Sequence, residues 1–336
     1  MYVSGGSDLA RLQRLQRQGA EARGRMDSAG REMTTGEKAD RTAATGGNLT
    51  RLISMDRALA RNAAFASSIS LTGLRLDTMQ SVASGIASSA TSLAVSLNET
   101  VPLGDVASAT RLGKQARSDL ADTLARLNVQ ASGQSIFAGT ATDRPAVAPA
   151  DDILADLDAL AAGSATAADA AAAIDAYFAR PSGAFHTSGY LGSAAGLAGA
   201  DIGDGARLDY GVTATDDRIV AVLKAQAKAA VVGGGAFAAS AEDRMALLKA
   251  AGAELLAARD GVLDLGAAIG FDQQTLERAK AAGTAETNIL SLARAHLLEA
   301  DLETATTSYQ ALESQLDAIY TVTARLTGLR FTNYMR

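Results

Sequence analysis

The chain has 336 residues, of which 48 % are hydrophobic but only 4 % aromatic, with no Trp, no Cys and a net charge of −6. The missing cysteines exclude a disulfide framework, a thiolate nucleophile and a Cys-based metal site. The missing aromatic anchors argue against the thick core of a globular enzyme of this length and suit long helices packed side by side. The charge is unevenly placed, since residues 151–218 hold eleven Asp and only three Arg whereas the first 31 residues hold six Arg. An acidic middle reads as a solvated, outward-facing part, and no basic patch of the nucleic-acid-binding kind is present. No apolar run reaches the roughly 18 residues that span a membrane. The opening residues lack the hydrophobic core of a secretory signal, so export is expected by another route.

In chain order, the stretch to about Arg31 is weakly amphipathic, with Leu9, Leu12 and Leu15 forming one apolar stripe. Alone it pays the nucleation cost of a marginal helix, and it is expected to stay frayed until it meets a partner. Thr34 to Thr42 is polar, contains Gly36, and reads as a loop. Phe65, Ile69, Thr72, Leu76, Met79, Ala83, Ile86, Ala90, Leu93 and Leu97 then alternate at spacings of four and three. This spacing predicts one helical seam, on a helix from about Gly47 to Asn98 that would measure roughly 78 Å at ~1.5 Å per residue. Pro102, Leu103 and Gly104 break it, and Asp105 is placed to cap a second helix to about Ala131, folded back as a hairpin.

Residues 133–239 are punctuated by glycines and read as strands and turns, for instance Arg207 to Thr213, with one or two short helices within Asp151 to Phe178. Ser240-Ala241-Glu242-Asp243 resembles a capping box. Beyond it Leu248, Leu255, Val262, Ile269 and Leu276 fall every seventh residue, and Gly283, Leu290 and Leu297 continue the register. A second seam of shifted phase follows, made of Leu302, Ala305, Tyr309, Leu312, Leu316, Ile319, Thr323 and Leu326, so the partner surface should change near Ala300.

The fold class expected is mainly α. Long antiparallel helical rods from both termini would pack as a coiled-coil-like bundle, with a small α+β or β-rich domain inserted between them. The segments expected are 1–46 (first helix and loop, disordered before assembly), 47–132 (first part of the rod), 133–239 (outward-facing central domain), 240–298 (second part of the rod) and 299–336 (assembly helix). Phe65, Ile69, Leu76, Met79, Ile86, Leu93, Leu248, Leu255, Val262, Ile269 and Leu276 are assigned to the rod core. Leu9, Leu12, Leu15, Leu302, Tyr309, Leu312, Leu316, Ile319, Leu326 and Tyr334 are assigned to an assembly interface.

Three passages resemble a known family. Met33-Thr34-Thr35-Gly36-Glu37-Lys38 is similar to the Thr-Gly turn that follows the first helix of flagellin-like proteins. Ser135-Ile136-Phe137-Ala138-Gly139-Thr140-Ala141-Thr142-Asp143-Arg144-Pro145 resembles the segment where the first rod of the hook–filament junction proteins, also called hook-associated protein 3, gives way to their central domain. Leu312 to Leu326 with the closing Asn333-Tyr334 resembles the end of the same junction proteins, whereas filament flagellins close on a leucine-rich tail. The resemblance covers both ends, about two thirds of the chain. The chain departs from the family at Asp40 to Thr45, where relatives often carry Pro-Ser-Asp-Asp-Pro.

The resemblance implies a structural subunit of the bacterial flagellum that joins the hook to the filament. The partners it implies are hook-associated protein 1, flagellin, copies of itself, the flagellar export apparatus and an export chaperone. It implies an extracellular flagellar location reached without a cleavable signal peptide, and neither nucleic-acid binding nor membrane insertion. Filament flagellin is the alternative, and a secreted enzyme with helical arms the remote one.

No catalytic, cofactor or metal residue is assigned. The two histidines, His186 and His296, have no motif around them and read as solvent-facing or internally satisfied. Gly233-Gly234-Gly235 lacks the Lys-Ser/Thr that a phosphate loop requires, and Asp151, Asp152, Asp156 and Asp158 lack the order of a calcium loop.

Overall fold

Two helices of more than fifty residues dominate the chain. The computed structural model describes the backbone of residues 5–334 and the side chains of residues 10–325 other than Leu103. Helix accounts for 74 % of it, which makes the protein mainly α with small β elements, as the heptad spacing predicts. In order these are α1 (Gly5–Thr35), α2 (Arg41–Ala44), α3 (Thr50–Thr100), α4 (Val106–Leu127), β1 (Gln130–Ala131), β2 (Gln134–Ser135), α5 (Ala150–Ala162), α6 (Ala167–Tyr177), β3 (Ala200–Gly203), β4 (Ala206–Leu208), α7 (Asp217–Gly233), α8 (Ala241–Leu298) and α9 (Leu302–Tyr334). A 3-10 turn, Val101–Leu103, closes α3, and a π turn spans Phe185–Gly189. The chain divides into a terminal unit, residues 1–63 with 284–336, and a central unit, residues 64–283.

The central unit is a four-helix arrangement with an insert. Helices α3 and α8 run antiparallel, since Gly73 lies against Leu276 while Gly252 lies against Leu97. The Pro102 break returns the chain into α4, which Asp105 caps through bonds from the Ala107 and Ser108 amides, each 3.1 Å long. Gly85 of α3 faces Arg126 near the end of α4, as a hairpin demands. Helix α7 packs on α4 through a glycine pair, where a methyl group on Gly113 would stand 2.6 Å from the Gly233 amide nitrogen. Only glycine at both positions lets the two backbones approach so closely.

The residues assigned to the rod core lie along α3 and α8. Leu76, Met79, Ile86, Leu248 and Leu255 are fully enclosed, Ile69, Leu93, Val262, Ile269 and Leu276 are buried, and Phe65 is half-buried. Asp272 interrupts this seam between Ile269 and Leu276, and its burial raises its pKa above the ordinary carboxylate value.

Helix α7 is the element the sequence reading misses, because strands and turns were expected there. Its buried positions include Ile219, Val222, Leu223, Gln226, Lys228, Val231 and Val232, and it is enclosed on every side from Ala225 to Val232. A helix apolar all round has no amphipathic stripe to betray it. Lys228 is buried at 2 % exposure, and its Nζ lies 2.6 Å from Glu254 Oε1 and 2.8 Å from Asp175 Oδ1. This ties α6, α7 and α8 together. Gln226 is fully enclosed, and neither amide atom of its side chain has a hydrogen-bond partner.

The insert carries the two short hairpins. β1 pairs with β2 across Ser132 and Gly133, and β3 pairs with β4 with an irregularity between Asp201 and Gly203. Strand β4 covers only the start of the strand expected from Arg207 to Thr213. Helices α5 and α6 fill the two short helices expected between Asp151 and Phe178, and α6 opens on a capping box of Thr166 and Asp169. The box expected at Ser240 is half formed. Ser240 Oγ accepts from the Asp243 amide, but the Asp243 carboxylate accepts from the Ala167 amide instead. Tyr177, Phe178 and Phe185 form an aromatic cluster with successive ring centroids 5.1 Å apart.

Candidate assembly interface

The terminal unit contains both ends of the chain. Helices α1 and α9 pair antiparallel, since Gly19 lies against Ile319 while Gly30 lies against the ring of Tyr309. A two-residue bridge fixes their relative level. The Lys38 amide donates to the Leu298 carbonyl at 2.7 Å, the Ala300 amide donates to the Gly36 carbonyl at 2.9 Å, and Glu37 faces Glu299. Arg294 locks the same place, its guanidinium reaching Glu37 at 2.7 Å and Asp56 at 3.0 Å. Bonds to those two carboxylates raise the Arg294 pKa further above its already high ordinary value.

The phase shift expected near Ala300 is a break between two helices. Asp301 starts α9, accepting from the amides of Glu303 and Thr304 at 3.0 and 3.2 Å and from the Thr304 hydroxyl at 2.7 Å. The hydroxyl and amide bonds of Thr304 hold the Asp301 carboxyl below the usual range.

The seam of α1 and α9 is built from small residues. Gly19, Ala22 and Ala29 of α1 are buried, as are Ala305 and Leu316 of α9. Leu12, Leu15, Tyr309, Leu312 and Ile319 are half-buried, and Leu302 is 53 % exposed. The structure therefore places Leu12, Leu15, Tyr309, Leu312, Leu316 and Ile319 in one seam within the chain and leaves Leu302 on the surface. The side chains of Leu9, Leu326 and Tyr334 lie outside the described residues. Met33, Ile53, Ile289, Leu292, Tyr320 and Val322 are also exposed in this unit, although none is assigned to the interface from the sequence.

Neither histidine joins a constellation of reactive groups. His186 Nε2 is 3.1 Å from the Phe178 carbonyl oxygen, and His296 is exposed beside Glu299 at 3.4 Å. Among the described residues no group of three or more His, Cys, Asp or Glu is placed to hold a metal. Among them, too, no helix is long and apolar enough to cross a membrane.

No protein-family model and no curated protein matches the chain. Among solved structures, one described as a "putative flagellar hook-associated protein from Vibrio parahaemolyticus" is similar over 73 % of this chain and 95 % of its own length, with 14 % identity and a TM-score of 0.49.

Proposed function

We propose that the chain is a non-enzymatic structural subunit of the bacterial flagellum, and that it serves at the junction between hook and filament. The observation that carries this reading is the terminal unit. Both chain ends enter one two-helix pair whose buried seam is mostly Gly and Ala, and large apolar side chains such as Leu302, Tyr320 and Val322 remain exposed beside it. Such a pair gains its missing burial from neighbouring subunits. The motif resemblance at the Thr-Gly turn, the 135–145 segment and the closing Asn-Tyr supplies the flagellar assignment and the junction role. The partners on this reading are hook-associated protein 1, flagellin and further copies of the chain. The chain reaches them through the flagellar export apparatus, aided by an export chaperone.

Leu316→Asp tests it. The carboxylate enters the α1–α9 seam at a buried position, so export should continue while stable incorporation fails. Normal filaments built from this variant would count decisively against the reading. Stoichiometry separates the junction role from filament flagellin. A junction subunit is a trace component of sheared filaments, and its deletion releases flagellin into the medium, whereas a flagellin is the bulk component.

A further inference from the structure

A hollow of about 410 Å³ lies in the central unit between α3 and the start of the β3–β4 hairpin. One side of it is a single face of α3. Ser68, Thr72 and Arg75 follow one another there at helical spacing, flanked by Phe65 and Leu71. Tyr210, with Ala200 and Asp201 of β3, lines it from outside the helix.

The polar groups of this hollow hold unused donors. Arg75 donates to the Tyr210 hydroxyl at 2.9 Å and to Gln134 Oε1. Both acceptors are neutral, and among the described residues no carboxylate pairs with this guanidinium. Asp201, which shares the lining, is engaged by Arg207 at 3.5 Å. The Tyr210 hydroxyl accepts from Arg75 and keeps its own proton for a further acceptor, on a side chain only 4 % exposed. Thr72 is 2 % exposed, yet among the described residues its hydroxyl has no hydrogen-bond partner. Thr78 and Thr91 of the same helix bond back to the carbonyl four residues earlier, so Thr72 is a local exception. Enclosing a hydroxyl without a partner is costly, and a bound acceptor would remove that cost.

An arginine fixed by neutral oxygens, with hydroxyls lining the same hollow, suits an oxyanion, and one guanidinium matches one carboxylate. Leu71 is exposed and stands four residues, about 6 Å, from Arg75 along α3. Two residues of an extended strand cover about 6.7 Å. A strand laid along α3 therefore sets a carboxylate at Arg75 and an apolar side chain, two residues away, at Leu71. Strand β3 pairs with β4 alone, which leaves one of its backbone edges unpaired among the described residues. A peptide main chain can bond to such an edge, whereas a small carboxylate cannot.

We infer that this hollow binds an extended segment of a partner protein in which Asp or Glu stands two residues from a large apolar side chain. The site belongs wholly to the central unit, and it stands whether or not the structural-subunit reading holds.

The test uses the full chain and two capped peptides, acetyl-Thr-Glu-Thr-Leu-Thr-amide and its counterpart with Gln in place of Glu. Binding is followed by saturation-transfer NMR and helix content by circular dichroism. The Glu peptide should bind about tenfold more tightly than the Gln peptide, and added salt should narrow the difference. Arg75→Gln should abolish the preference. Leu71→Ser, at an exposed position that the fold does not need, should weaken both peptides alike and keep the preference. A wild-type chain that binds neither peptide, or binds both equally, overturns the inference. So does an Arg75→Gln chain that keeps the preference, or a Leu71→Ser chain of full helix content that binds like wild type. If 4-methylpentanoate bound as tightly as the Glu peptide, the site would be one for small carboxylates and the peptide assignment would fall.

Discussion

The two units are built from the same helical spacing and reach opposite degrees of completeness. In the central unit Leu76, Met79, Ile86, Leu120, Leu223 and Leu248 are fully enclosed, and the buried Lys228 is held between partly exposed carboxylates of two other helices. In the terminal unit the α1–α9 seam consists mainly of Gly and Ala, and Leu12, Leu15, Tyr309, Leu312 and Ile319 are half-exposed while Leu316 is buried. The difference lies in the number of layers. A seam between two helices can cover only one stripe on each, whereas α7 is covered on all sides from Ala225 to Val232. Periodicity alone therefore does not distinguish a finished core from one that waits for a neighbour. What distinguishes them is whether a third and fourth helix are present.

Substitutions can break or sharpen that contrast. The largest effect is expected from Lys228→Ala, which empties an enclosed position and leaves Glu254 without this cation, while Asp175 keeps Lys224 at 3.3 Å. A loss of about 3–4 kcal/mol, mostly from the cavity left by the enclosed side chain, should appear as an earlier cooperative transition in urea. Ile86→Ala leaves a cavity at a fully enclosed position and should cost about 3 kcal/mol in the same titration. Tyr309→Ala in the terminal unit is the contrasting case. It should move that transition by less than about 0.5 kcal/mol while weakening self-association. If Tyr309→Ala proved as damaging as Ile86→Ala, the two units would not differ as described.

Two changes should stabilise the protein. Gln226→Leu removes an enclosed amide without partners and should raise stability by about 1 kcal/mol, read as a higher melting temperature. Asp272→Leu completes the α3–α8 seam and should add somewhat less at neutral pH. Burial holds the folded Asp272 pKa above its unfolded value, so the wild-type residue is best tolerated when protonated and becomes costly as pH rises through that raised value. The advantage of the variant should therefore shrink as pH falls through that raised value and lose its electrostatic part by about pH 4, the ordinary value for Asp, and urea titrations at two pH values would show it.

Much of this was readable from the residues. The alternation from Phe65 to Leu97 and the heptads from Leu248 to Leu276 gave the α3–α8 pair and one buried stripe on each helix, but not the second stripe of Leu247, Ala251, Ala258 and Leu265. The change of phase near Ala300 marked a real discontinuity, though its cause, a bridge to Glu37 followed by the Asp301 cap, depends on a segment about 260 residues away in sequence. Helix α7 escaped notice because Val, Ala and Leu occur on all its sides, and periodicity finds stripes rather than uniform surfaces. The groove of the terminal unit was hidden for the opposite reason. Gly24, Ser28, Ser308 and Ala311 form no motif, and only the pairing of two distant helices makes a concave surface of them.

The clasp of Lys38 and Ala300 backbone bonds with the Arg294 ion pairs has a mechanical corollary. It acts as a datum from which position along the α1–α9 pair is measured. A single residue inserted just after Asp301 would turn everything beyond it by about 100° around the axis of α9 while the clasp held. Tyr320 and Val322 would then point elsewhere, although composition, charge and helical propensity would scarcely alter. Tolerance of such an insertion, scored against tolerance of point changes at the same place, would measure how strictly alignment rather than content governs the ends of the chain.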